Sequence, residues 1–188
     1  MPLDSIRQLI KHDFDAVNHL ITENLRTQIG LIEELSQHLI NSGGKRMRPI
    51  IVILGAKAFD YQGEQHIKLA SAVEYFHTAT LLHDDVIDES FLRRGQETAN
   101  KIWGDKPSIL VGDFLFTQAF QLMVSSGNLD VLAVLAETAN VITCGEVQQL
   151  INCNDPETSE AQYLETIRKK TAILFSASAT GKLRQRPL

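Results

Sequence analysis

The chain has 188 residues, 44% hydrophobic and 22% charged, with a formal net charge of -5. That is enough for one domain with a sizeable core, and the acidic balance argues against a general nucleic-acid binder, which normally carries a basic excess. The N-terminus lacks a basic start followed by an apolar stretch, no uninterrupted apolar run approaches the ~20 residues of a transmembrane helix, and Cys144 and Cys153 match neither a disulfide framework nor a zinc motif; the expectation is a reduced, soluble, cytoplasmic protein.

Apolar residues from Ile6 to Leu25 recur at three- and four-residue steps, the stripe of an amphipathic helix, and Ser5 with Gln8 has capping-box spacing at its start. A second stripe, Ile29 to Ile40, runs into Asn41-Ser42-Gly43-Gly44, a C-terminal stop signal. Pro49 suits the first position of a third helix. Ile50 to Leu54 could form a strand, but Ala56 to Phe59 carry the segment past strand length and favour a buried helix. A fourth helix is expected from about His66 to Asp88, followed by an irregular charged stretch to Pro107. Helices then follow over Ser108 to Val124, Leu129 to Ile151 and Ser159 to Ala179, the last with Ser159 and Gln162 at capping-box spacing. Strand-hairpin signals are absent, so the expected fold class is all-α, a bundle of long helices. Residues 181–188 read as an atypical basic tail, which suggests a chain that ends before its fold does.

The chemistry concentrates in "LLHDDVIDESFLRRG". Asp84 and Asp88 share a helix face at four-residue spacing, while Asp85 is rotated about 100° away. A solvated helix end is the bland explanation. It fits poorly, because Asp84 follows buried-looking residues and acids at a helix C-terminus oppose the macrodipole. Oxygen ligands at this spacing suit a hard cation such as Mg²⁺, with open positions left for substrate phosphates. Arg93 and Arg94 follow, and guanidinium forks grip phosphate oxygens. Upstream, "GGKRMRP" offers Lys45 and Arg48, and His77 lies on the Asp84 side of the helix seven residues earlier. Two basic clusters flanking one acidic cluster suggest two anionic substrates meeting across a metal, with apolar residues beneath for an oily tail.

"GGKRMRP", "HTATLLHDDVIDESFLRRG", "VGDF", "GEVQQL" and "KKTA" together resemble the successive motifs of the trans-polyprenyl diphosphate synthases, particularly the bacterial octaprenyl members, from the N-terminus to roughly Gly181. The resemblance implies an isoprenoid-synthase-type helical bundle around a central cavity, with residues 1–180 as the N-terminal part of the domain. It implies Mg²⁺-dependent condensation of isopentenyl diphosphate with an allylic diphosphate, such as farnesyl diphosphate, to a long all-trans product, octaprenyl, for quinone side chains, in a homodimer.

Carried over by motif, Asp84 and Asp88 would ligand the metal with Asp85 in support. Arg93 would bind the allylic diphosphate, and Lys45, Arg48, His77 and Arg94 isopentenyl diphosphate. Lys170 and Thr171 would contact the allylic substrate, and Glu146 with Gln149 would line the cavity or pack between helices. Small residues at Thr80 and Ala79, with Phe76 a turn deeper, would leave room for a long tail. The family carries a second aspartate-rich motif absent here, so the expectation is a truncated chain, inactive or nearly so alone. Rival readings are a terpene cyclase, which would not need "GGKRMRP", and a His-Asp phosphohydrolase using His77, His83 and Asp84. A third is a non-catalytic helical subunit that pairs with a complete synthase.

Overall fold

The computed structural model describes residues 3–153 and 155–180, so the basic tail lies outside the described residues. Its elements are α1 (Leu3–Asn24), α2 (Gly30–Asn41), α3 (Met47–Ala58), α4 (Gln65–Ile87), β1 (Leu92–Arg93), β2 (Gln96–Glu97), α5 (Ala99–Trp103), α6 (Asp105–Ser125), α7 (Leu129–Asn152), α8 (Glu160–Ile167) and α9 (Ile173–Ala179), with a π-helical turn, Arg168–Ala172, joining the last two. The all-α expectation holds, and Ile50 to Leu54 are helical.

Helix α4 is the axis of the bundle. It packs against α1, α3, α6 and α9, and its sequence explains this, because small or apolar residues surround it rather than forming one stripe. Leu69, Ala70, Ala72, Val73, Phe76, Ala79 and Leu82 are all buried, as expected of a helix without a solvent face. Burying one side chain such as Phe76 contributes about 1.5–3 kcal/mol. Tyr75 adds a directional tie: its buried hydroxyl donates to the Ile21 carbonyl of α1 at 2.6 Å. Burial drives the Tyr75 pKa up, so the phenol stays a donor.

Helix α6 turns one face to α4 through Val111, Leu115, Ala119 and Met123, and leaves Leu110, Phe120 and Val124 exposed on the other. By length and composition it could cross a membrane, but its buried face against α4 accounts for that apolar character as the core side of a bundle helix.

Several local expectations are corrected. Ser5 lies inside α1, which begins at Leu3, so it does not cap the helix. Pro49 is the third residue of α3, not the first, and Arg46 caps the helix in a left-handed conformation (φ 49°). Helix α6 starts at Asp105, so Pro107 sits in its first turn, where a missing N–H leaves no bond unmade. The stretch expected to be irregular contains α5 and an antiparallel hairpin pairing Leu92 with Glu97 and Arg93 with Gln96. Its two-residue turn places Arg94 at φ 54° and Gly95 at φ 81°, the paired positive φ values of a type I′ turn. Strands of two residues are too short to show alternation in sequence. The Ser159 capping box forms as expected, but the helix it starts is interrupted by the π turn.

A two-sided ionic site on helix α4

The three aspartates of α4 are separated by their surroundings. Asp85 is buried, 1% exposed, and both its oxygens accept from Arg93: Nε at 3.0 Å to each and Nη2 at 2.8 Å to Oδ1. The hairpin delivers that arginine because it is lashed to the end of α4. The Asn100 side chain donates to the Asp85 and Ser90 carbonyls at 3.0 and 3.1 Å, and the Thr98 hydroxyl donates to Ser90 at 2.7 Å. The forked partner raises the Arg93 pKa.

Asp84 and Asp88 face elsewhere. Asp88 is the exposed residue just past the helix, its N–H bonded to the Asp84 carbonyl at 2.8 Å. Asp84 meets α7 and the π turn: Lys170 Nζ stands 3.4 Å from Asp84 Oδ2 and 2.7 Å from Glu146 Oε2. Burial pushes the Asp84 and Glu146 carboxyls up and Lys170 pulls both down; Asp88 adds to the rise at Asp84 and Asp84 to that at Glu146, so both stay above their ordinary values. Burial opposes the Lys170 ammonium, yet the Glu146 hydrogen bond and the surrounding carboxylates raise its pKa. Among the described residues no three His, Cys, Asp or Glu side chains come together as a ready-made metal group. Asp85 is committed to Arg93, leaving Asp84 and Asp88 as the α4 carboxylates free to face a cation.

The basic residues gather about two helical turns up α4. His77 is seven residues, roughly 10 Å of helix, before Asp84. A cavity of about 560 Å³ is lined by Lys45, Arg48, His77 and Arg94, together with Glu74 and Phe175. The four residues singled out from two separated motifs thus share one wall. The "GGKRMRP" loop brings Gly44 against the hairpin: a Cβ there would lie 2.8 Å from Arg94 Nη1, so a side chain would push that guanidinium away. Arg48 lies over the Phe175 ring at 4.3 Å, and its Nε has no hydrogen-bond partner among the described residues. Burial first, then Arg48, Arg94, Arg93 and Arg46, push the His77 pKa down to about 3. His77 is therefore neutral near pH 7, a hydrogen-bonding wall rather than a further cation.

Other placements differ from a single central cavity. Gln149, Lys170 and Thr171 meet around a separate hollow of about 340 Å³ on the α7–α8 side. Ala79 is wholly buried, and Phe76 packs edge-on against Phe116 of α6 with ring centroids 4.7 Å apart. Thr80 is half-buried, and its hydroxyl donates to the His77 carbonyl at 2.8 Å. Sequence reasoning passed over Glu74, which takes Arg46 Nη1 at 2.8 Å, although its position three residues before His77 places it on the same helical face. It also passed over Phe175 and Asn100, which reach the site by tertiary packing and carry no local signal.

A family model described as polyprenyl synthetase matches residues 29–183. The chain belongs to the polyprenyl synthetase family. It is 49% identical to the octaprenyl diphosphate synthase of Escherichia coli (strain K12) over 179 residues, 95% of this chain and 55% of that protein. The structure of a decaprenyl diphosphate synthase from Rhodobacter capsulatus superimposes with a TM-score of 0.93 at 47% identity, covering 97% of this chain and 57% of that one. A Caulobacter crescentus polyprenyl synthase, solved with calcium and isoprenyl diphosphate, gives 0.92 at 46% identity, with 95% and 54% covered. This polyprenyl synthetase chain therefore has the isoprenoid-synthase helical fold and spans about half the length of the relatives it matches.

Proposed function

We propose that the chain carries the first half-site of a prenyltransferase that joins isopentenyl diphosphate to an allylic diphosphate such as farnesyl diphosphate. The observation that carries this reading is an acidic pair at the end of α4, Asp84 and Asp88, with a wall of Lys45, Arg48, Arg94 and neutral His77 about two turns away. Two anionic headgroups need two such regions. A terpene cyclase, with one diphosphate, would leave the wall of Lys45, Arg48, His77 and Arg94 unused.

Asp84 and Asp88 are the residues that would hold Mg²⁺. They fit a hard oxygen-seeking ion, and Asp84 already draws a cation, Lys170, to 3.4 Å. When bound, the ion would supply charge neutralisation to a departing diphosphate. Lys170, held by Glu146, is positioned to donate to the same group, and Asp85 keeps Arg93 at the rim in reach of it. Arg48, Lys45 and Arg94 would orient isopentenyl diphosphate, with neutral His77 as an uncharged partner. Fixing both reactants in this way turns their collision into an oriented attack.

The sequence contains a single aspartate-rich motif, so turnover in this reading needs further carboxylates from outside these 188 residues. A long product, octaprenyl, is supported by the names of the relatives, which include octaprenyl, nonaprenyl and decaprenyl diphosphate synthases. A homodimer in a cytoplasmic setting is supported by the exposed apolar residues of α6 and α7, Leu110, Val124, Leu129 and Ile151 among them, and by two free thiols.

The test is calorimetric titration of isopentenyl diphosphate into the purified chain. Wild type binds, and Arg94→Ala or His77→Ala weakens binding roughly tenfold, the size of one charged hydrogen bond. Absence of wild-type binding, or equal binding by both variants, removes the two-substrate reading. Light scattering on the same sample checks the dimer. A monomeric chain that pairs only with a longer synthase would favour the non-catalytic subunit instead.

A further inference from the structure

We propose that Gly145 is a positioning residue: its missing side chain lets the π turn seat against α7 and hold Lys170 at Asp84. The inference rests on the reading of Lys170 as a diphosphate contact. Lys170 belongs to the π turn Arg168–Ala172, flanked by α-helix on both sides. Single π turns are rare and concentrate at functional sites, because they widen the helix and re-aim one side chain.

The turn packs on α7 at Gly145, which is buried. A Cβ there would stand 2.8 Å from Lys169 Cβ, 3.0 Å from Lys170 N and 3.2 Å from Lys169 C. Two of those three atoms are backbone and cannot swing aside, so alanine would displace the turn itself. Glycine in the middle of a 24-residue helix is locally unfavourable by about 1 kcal/mol relative to alanine, and close approach to the π turn is the tertiary reason for it here. The next residue, Glu146, supplies the 2.7 Å ion pair to Lys170. One step of α7 thus provides both the clearance and the anchor.

The experiment uses the 188-residue chain and three readouts: thermal melting, labelling of Lys170 relative to exposed Lys106 by an amine reagent with mass spectrometry, and titration with inorganic pyrophosphate and Mg²⁺. Gly145→Ala is expected to fold, to raise Lys170 labelling relative to Lys106, and to weaken pyrophosphate roughly tenfold. Lys170→Ala should weaken it equally, and the double variant should lose nothing more. Adding Lys169→Gly to Gly145→Ala removes the tightest of the three contacts, and a glycine backbone can yield the few tenths of an ångström that the other two require, so protection of Lys170, read against Lys106, should return. Unchanged labelling in folded Gly145→Ala overturns the proposal, as does additive loss in the double variant. If Gly145→Ala does not fold but its pairing with Lys169→Gly folds and protects Lys170, the proposal stands. If both are unfolded, the glycine serves the fold at large and the proposal is overturned. Wild-type pyrophosphate affinity in Lys170→Ala would instead remove the diphosphate reading, with the labelling ratio still deciding the role of Gly145.

Discussion

The cluster around Asp13 and the cluster around Lys170 use the same kinds of group in opposite proportion. In the first, one carboxylate from α1 meets Lys57 of α3 at 3.0 Å and His66 of α4 at 3.3 Å, with His12 at 3.3 Å on its other oxygen. Burial works against the Asp13 charge, but Lys57, His12 and His66 outweigh it and hold its pKa below the ordinary value. In the second, one ammonium stands between Asp84 and Glu146, and both acids rise. A carboxylate held by one lysine and two imidazoles ties three helices together. At Asp84 and Glu146 burial is the larger cause and Lys170 only partly offsets it, so both carboxyls stay above their ordinary values, and perturbed carboxyls of this kind concentrate at functional sites. Asp85, adjacent to Asp84 in sequence, belongs with Asp13 by this measure, since Arg93 satisfies both its oxygens.

The largest expected effect therefore sits beside the site rather than in it. Asp85→Ala should cost about 3 kcal/mol, the low end for a broken buried pair because Arg93 reaches solvent, and should lower the Tm by about 6–12 °C for a chain of this size. A Tm unchanged in differential scanning calorimetry would mean that the fork adds nothing.

A pair of variants then sets the two clusters against each other. Asp13→Ala should destabilise by about 2 kcal/mol at pH 7, as loss of hydrogen bonds to charged partners does. Because the folded pKa of Asp13 is depressed, that contribution is present above its ordinary value of 3.8 and is lost as pH falls through the lower folded value. Asp84→Asn should have the opposite sign. The Asp84 pKa is raised, so its contribution is favourable below 3.8 and lost as pH rises through the folded value. At pH 7 the neutral amide relieves that burden and the Tm should rise, while affinity for Mg²⁺ with pyrophosphate falls. Destabilisation by both substitutions would dissolve the contrast.

The last contrast shows only in pH dependence and leaves stability at pH 7 nearly unchanged. His77 drops from 6.5 to about 3 on folding, so it contributes stability above pH 6.5 that drains away as pH falls from there toward 3. His77→Gln should flatten the urea-midpoint profile across that window. Pyrophosphate, by offsetting the guanidinium charges, should move the histidine titration seen by NMR upward; an unmoved titration would place the anion elsewhere.

How much could be read from residues alone differs by element. Helix α4 was legible from His66 to the aspartates because its evidence is local: unbroken helix formers and small residues, with a turn signal after. The capping box at Ser159 was legible for the same reason. Ser5 has the same spacing and failed, because α1 begins before it. The hairpin was missed since two-residue strands have no period, and only the Arg94-Gly95 turn hinted at it. The π turn left no trace in "RKKTA", whose composition suits any helix.

The same division runs through the site. Residue types and spacings singled out the paired acids at i, i+4 and the basic loop as candidates for chemistry, and the resemblance of the later motifs added Lys170. What only the tertiary structure decided is how those charges are shared. It gave Asp85 to Arg93 through a hairpin lashed to α4, and it gave Lys170 to both Asp84 and Glu146 through a π turn seated on a glycine. Charge balance in a buried site depends on distances between segments far apart in the chain, and a linear pattern does not encode those distances.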